Sequence, residues 1–121
     1  MGTSASIKFK HLEGGSTIIR THWDSYPEGM ANKLQSALTY IDECKEDYRR
    51  PKLISAFIGA KDNINDIAFI DYNGEGEDYS YTIDTQENIT CRSYIFATNK
   101  YIIVFSGSIT EFIETYKRIK A

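Results

Sequence analysis

Residues 20–30 read RTHWDSYPEGM, from Arg20 to Met30. Upstream of this stretch the residues are strand formers; downstream, apolar residues recur every three or four positions. It is therefore a strand-to-helix connector, and its parsing decides the fold. Ser25-Tyr26-Pro27-Glu28 has the form of a capping box, in which the Ser side chain accepts from an orphan N–H and Glu28 reaches back. Pro27 falls in the first turn, where a missing N–H costs little. That reading accounts for Ser25, Pro27 and Glu28. It leaves Trp23 and Tyr26, two large aromatics beside a turn, either to cap the core or to wall a ligand pocket.

Two strand-like runs precede the connector, over 6–12 and 17–24, separated by Glu13-Gly14-Gly15-Ser16. Gly-Gly between such runs predicts a β-hairpin, because both residues can take positive φ. With Gly14 and Gly15 as the loop, Ile7, Phe9, His11, Ile18, Arg20 and His22 share one face. Lys8, Lys10, Leu12, Ile19, Thr21 and Trp23 share the other.

After the connector, Met30, Leu34, Ala37, Leu38, Ile41, Cys44 and Tyr48 have the spacing of an amphipathic helix. Its exposed side is expected to carry Lys33, Asp42, Glu43, Lys45, Glu46 and Asp47, and Arg49-Arg50-Pro51 to stop it. Residues 53–58 read as a short helix or a buried strand, and the proline before them and Gly59 after them favour the helix. Four strands follow, over 66–71, 79–84, 89–97 and 101–106, divided by turn-rich segments that include Asn73-Gly-Glu-Gly-Glu-Asp78. In the second of these, Tyr79, Tyr81 and Ile83 alternate with Ser80, Thr82 and Asp84, so one side should face a core. Ser108 and Glu111 form a Ser-x-x-Glu capping box ahead of Ile109, Phe112, Ile113, Tyr116 and Ile119, which predicts a terminal helix over 108–120.

The expected architecture is α+β. An antiparallel sheet, built from the N-terminal hairpin and a C-terminal strand meander, carries an amphipathic central helix and a C-terminal helix packed on it. The 121 residues suit a single domain over 1–121, with the small, polar residues 1–5 expected to fray.

Composition narrows the function. Lysine and arginine number 14 against 17 acidic residues, a net charge of −3, which argues against a grip on duplex nucleic acid. No apolar run approaches the roughly 20 residues of a membrane span, so the protein is expected to be soluble. Cys44 and Cys91 lack metal-ligand spacing and are expected to be reduced. His22 and Asp24, two apart on a strand, point the same way, and a carboxylate-oriented histidine is half of a base-catalysis arrangement. No nucleophile has a recognisable context, however, and His22, Asp24 and Glu28 match no ligand pattern. Neither a cofactor nor a metal is expected. The Asn73–Asp78 segment lacks the alternating ligands of a calcium loop and reads as a solvated turn. Nine tyrosines exceed what one core can comfortably bury, and Tyr79, Tyr81, Tyr94 and Tyr101 are expected at a binding or homo-oligomer surface.

The connector, its following helix and the Asp-Tyr-x-Tyr-x-Ile strand resemble a group of small proteins of bacterial and bacteriophage genomes that carry an Arg-His-Trp-Asp-Gly-Tyr-Pro signature. The matching residues are His22, Trp23, Asp24, Tyr26 and Pro27, continued by Glu28 and Gly29, with Asp78, Tyr79, Tyr81 and Ile83 in the later strand. Thr21 stands where that group has arginine and Ser25 where it has glycine; Arg20 is not a substitute, because a one-residue shift on a strand reverses its face. The resemblance implies a phage-related, non-enzymatic binding protein of the bacterial cytoplasm. Such a protein would sequester or inhibit a component of host immunity, either a defence protein or a nucleotide signal. The expected contact residues are Arg20, His22, Trp23, Asp24, Tyr26, Tyr79 and Tyr81. A small nuclease or nucleotide hydrolase using His22 and Asp24, or a ligand-free assembly subunit, are the alternatives.

Overall fold

The computed structural model describes residues 3–22, 25–43, 53–59, 67–70 and 77–117. In chain order the elements are β1 (Ala5–Lys10), β2 (Ser16–Thr21), α1 (Pro27–Glu43), α2 (Leu53–Gly59), β3 (Ile67–Ile70), β4 (Tyr79–Ile83), β5 (Asn88–Ile95), β6 (Lys100–Ser108) and α3 (Ile109–Tyr116). The α+β class is as expected, but the sheet is mixed. Its order is β3-β2-β1-β4-β5-β6, and β1 pairs with β4 in parallel, Ile7 beside Tyr81. All other neighbours are antiparallel. The expected four-strand meander is corrected in the same way: only β4, β5 and β6 form it. β3 lies at the far edge against β2, since its pairing partner is set by tertiary closure and not by its position in the chain.

The N-terminal hairpin forms with a longer loop than a Gly14–Gly15 turn implies. Lys10 pairs with Ser16 as the last rung. The His11 N–H donates to the Gly15 carbonyl at 3.1 Å, and Gly14 and Gly15 take φ of 95° and 76°. Ile7 therefore pairs with Ile19 and Ala5 with Thr21, a register displaced by an odd number of residues, which turns β2 over. Ile19 and Thr21, not Ile18 and Arg20, join Ile7 and Phe9 on the covered face. Burial decides the matter: Ile19 is fully enclosed, and the loop grows by three residues to put it there.

All three described helices cover one face of the sheet. A single cluster joins Ala5, Ile7, Phe9, Ile19, Tyr81, Ile83, Ile89 and Cys91 to Met30, Leu34, Ala37, Phe57, Phe112 and Ile113. Phe9 meets Phe57 of α2 at 5.6 Å between ring centroids. Phe112 of α3 meets Phe105, Tyr81 and Tyr116 at 5.3, 5.9 and 5.0 Å. α3 carries the expected capping box: the Ser108 side chain accepts from the Glu111 N–H at 3.0 Å, and Glu111 accepts from the Ser108 N–H at 3.2 Å.

Three further expectations change. The Met30 N–H donates to the Tyr26 carbonyl at 2.9 Å, so α1 starts with Pro27 as its first residue, one place later than a Ser25 cap implies. Lys33 is buried, because it stands three residues from Met30 and four from Gly29, within the apolar stripe and not beside it. The fraying expected for 1–5 does not extend to Ala5, which is buried in β1, nor to Thr3 and Ser4, which hold the connector and β4 by backbone bonds. The expected continuation of α1 through Cys44 and Tyr48, the Arg49-Arg50-Pro51 stop and the place of Ile119 lie outside the described residues. No described helix is long and apolar enough to cross a membrane.

Phe112 is the ring through which α3 grips the sheet. Phe112→Ala is expected to destabilise by about 3–5 kcal/mol, read as a lowered denaturant midpoint. An exposed control, Thr110→Ala, should change stability by about 0.5 kcal/mol or less.

Candidate interaction surface

The connector is a tightly bonded corner. Thr21, at the end of β2, is fully buried and its hydroxyl lies 2.6 Å from that of Ser25. The Ser25 N–H donates to the Thr3 carbonyl at 3.2 Å, and the Ser25 carbonyl accepts from the Tyr81 hydroxyl at 2.7 Å. Ser25 thus ties together the start of β1, the end of β2 and the middle of β4. On the opposite face Arg20 donates through Nε to Glu77 Oε1 at 2.8 Å; the arginine side chain is 23% exposed and the carboxylate only 4%. The Glu77 carbonyl in turn accepts from the Tyr101 hydroxyl at 2.7 Å.

The residues expected to form one contact site are therefore divided. Arg20 lies on the face away from the helices, whereas Tyr79 and Tyr81 lie on the helix face, their rings stacked at 6.3 Å. The expected exposure of Tyr81 is corrected: its ring is fully buried, because the alternation that marks the strand points it into the core. His22 is exposed and Tyr26 half-buried. Trp23 and Asp24 lie outside the described residues, and so does Trp23's expected part, beside Tyr26, in a core cap or pocket wall. Glu77 was expected on a solvated turn with Glu75 and Asp78. It is buried instead, and Asp78 Oδ2 accepts from the Ser4 N–H at 3.3 Å; Glu75 lies outside the described residues. No local pattern marks Glu77, since its partner Arg20 is 57 residues away.

The corner formed by β5 and β6 is different in kind. Tyr94 pairs across the strands with Tyr101, their rings 5.1 Å apart, and meets Phe96 at 4.9 Å. The Tyr94 hydroxyl donates to Asn99 Oδ1 at 2.9 Å, within a turn where Asn99 takes φ of 54°. These rings are thereby held in place before any partner arrives. Phe96 is 74% exposed, Ile103 60%, Ile102 49% and Val104 40%. A β-bulge adds to the display: Cys91 pairs with Phe105 and Arg92 with Ile103, so Val104 has no rung on β5. Two of the four tyrosines expected at a surface, Tyr94 and Tyr101, are in this corner, and Arg92 precedes Tyr94 by two on the same face. The periodicity of β6 could not show the exposure, because an apolar run reads alike in a central and an edge strand.

An open groove of ≈ 690 Å³ lies at the other end of the sheet, with Phe9, Leu53, Ile54 and Ile83 in its floor and Lys10, His11, Glu13, Asp84 and Glu87 on its rim. The rim mixes both signs of charge and so selects neither. Asp84 is held below the usual carboxylate range by the backbone N–H groups of Asn88 and Gln86, both at 2.9 Å. Among the described residues no three histidine, cysteine or acidic side chains are grouped to hold a metal ion. Burial pushes the Cys91 thiol up to about 12 and raises the Tyr81 hydroxyl far above its ordinary value. No known family matches this chain, and no curated protein or solved structure matches it.

Two measurements probe these environments. Cys91 and Tyr81 hold their protons more firmly folded than unfolded, so the stability they contribute is complete below the free thiol range, about pH 8.5, and falls as pH rises toward about 12. Urea midpoints should fall across that window, and less steeply in Cys91→Ala. In a Cys44→Ser background, Cys91 should resist a thiol reagent at neutral pH until the protein is unfolded.

Proposed function

We propose that this protein is a non-catalytic binding protein that acts stoichiometrically, docking its β5–β6 corner onto a protein component of host immunity in the bacterial cytoplasm. The observation that carries the reading is exposed Phe96 and Ile103 sharing the uncovered face with the packed rings of Tyr94 and Tyr101. Contiguous exposed apolar surface of this kind marks protein–protein contact, and aromatics held by their neighbours lose little entropy on binding. The resemblance to small bacteriophage proteins supplies the partner class. A protein partner is favoured over a nucleotide signal because the exposed surface at this strand edge is apolar, with Arg92 on the same face as the rings.

The test is expression of the protein in bacterial strains that each carry one defence system, scored by the recovery of phage plating. Recovery in one strain, lost with Phe96→Glu while the thermal midpoint stays within a few degrees of the parent, is the expected result. Direct binding to the defence component should weaken at least tenfold in Phe96→Ala, on the order of 1.4 kcal/mol or more. Recovery indifferent to both Phe96→Glu and Ile103→Glu would overturn the reading. So would a thermal shift of several degrees with a single nucleotide, which would make the protein a nucleotide sponge.

A further inference from the structure

We infer that the crevice between the β1–β2 loop and the β4–β5 turn binds a free α-amino acid with an apolar side chain, held by its ammonium, its carboxylate and its hydrocarbon at once. The site lies at the opposite end of the strands from the docking corner and does not rest on that reading.

Its position follows from the topology. β1 and β4 are parallel neighbours, and their last rung sets Phe9 beside Ile83. Beyond that rung the chain leaves in opposite directions, from β1 to β2 on one side and from β4 to β5 on the other. Neither connection crosses the gap, so a crevice opens outside the carboxyl ends of the two strands, the place where ligands bind in open sheets with such a switch point. The groove floored by Phe9 and Ile83 is the helix-face half of this crevice. The other half, ≈ 530 Å³ on the uncovered face, shares Lys10, His11, Asp84 and Thr85 with it.

Both walls are formed in advance, as small-molecule sites generally are. On one side the His11 N–H donates to the Gly15 carbonyl and the Gly14 N–H to the His11 carbonyl. On the other, the Asp84 N–H donates to the Asn88 carbonyl, and the Glu87 carbonyl accepts from the first N–H of α3 at 3.1 Å.

The charges are sorted across the crest. Glu13 and Glu87 line only the helix-face half and Lys8 only the uncovered half, while Lys10 and Asp84 line both. Among the described residues Lys8, Lys10, Glu13 and Glu87 make no ion pair with one another or with any other side chain. A simple cation or anion would meet like charge on one side of the crest; a zwitterion meets opposite charge on both. The ammonium then faces Glu13 and Glu87, the carboxylate faces Lys8 and Lys10, and the side chain lies over Phe9, Leu53, Ile54 and Ile83. An α-amino acid carries these three groups on one carbon.

NMR titration of the full chain with L-leucine tests this. The amides of Gly14, Gly15 and Thr85 are expected to shift and saturate at millimolar leucine or below, while those of Tyr94 and Asn99 stay still. Isocaproate, which lacks the ammonium, and isoamylamine, which lacks the carboxylate, should each bind severalfold more weakly, the scale of losing an exposed charge contact. Glycine, with nothing to lay on the floor, should not saturate. Two substitutions at exposed positions separate the charges: Lys10→Glu should weaken leucine and isocaproate but not isoamylamine, and Glu13→Lys should weaken leucine and isoamylamine but not isocaproate. Absence of shifts at the crevice with millimolar leucine would overturn the inference. So would isocaproate, isoamylamine or glycine binding as tightly as leucine, or leucine binding indifferent to both substitutions.

Discussion

The hydroxyl of Tyr81 sits at the centre of the packed layer and has to find an acceptor there, because a buried phenol without one carries its full desolvation penalty. It finds the carbonyl of Ser25. That bond holds a connector that β1, β2 and α1 all depend on, while the ring presses edge-on against Phe112 of α3. Sheet, connector and terminal helix therefore meet at one side chain. The connector's Thr21 and Ser25 are spent on closing this corner, which explains why residue types suited to chemistry can gather there for structural reasons.

With every described helix on one side, the sheet presents its other face and one long edge uncovered by those helices. The Arg20–Glu77 pair and the Tyr101 hydroxyl tie the approach to β4 onto that face, so it is polar and bonded near its middle, while Phe96 and Ile103 stand exposed at the β5–β6 corner. The contrast is the basis for assigning recognition to the corner: its side chains make rings and turns with each other, and what remains exposed is hydrocarbon.

The helices were legible because their signals are local. A stripe from Met30 and the Ser108–Glu111 box need only the neighbouring turns to form. The strands existed where alternation placed them, yet their neighbours did not follow. β3 reads as the next strand of a meander, but joins β2 across the sheet. The hairpin loop outgrew its two glycines because burial of Ile19 outweighs the tighter turn. Among the candidate residues, Arg20 was found and its partner Glu77 was not, since an ion pair closed over a long loop leaves no spacing to read. Tyr81 was singled out for display, although the regular alternation of its strand already placed it in the core.

The parallel contact of β1 with β4 also governs the order in which the molecule can assemble. Ser4 and Asp78, bonded to each other, stand 74 residues apart, and β1 is central, flanked by β2 and β4. During synthesis the first hairpin emerges with one side of β1 unsatisfied until most of the chain has followed. Contacts of such high sequence separation slow folding and leave strand edges open in the meantime. The nascent hairpin is thus the segment for which a chaperone, or a rapid ribosome, matters most.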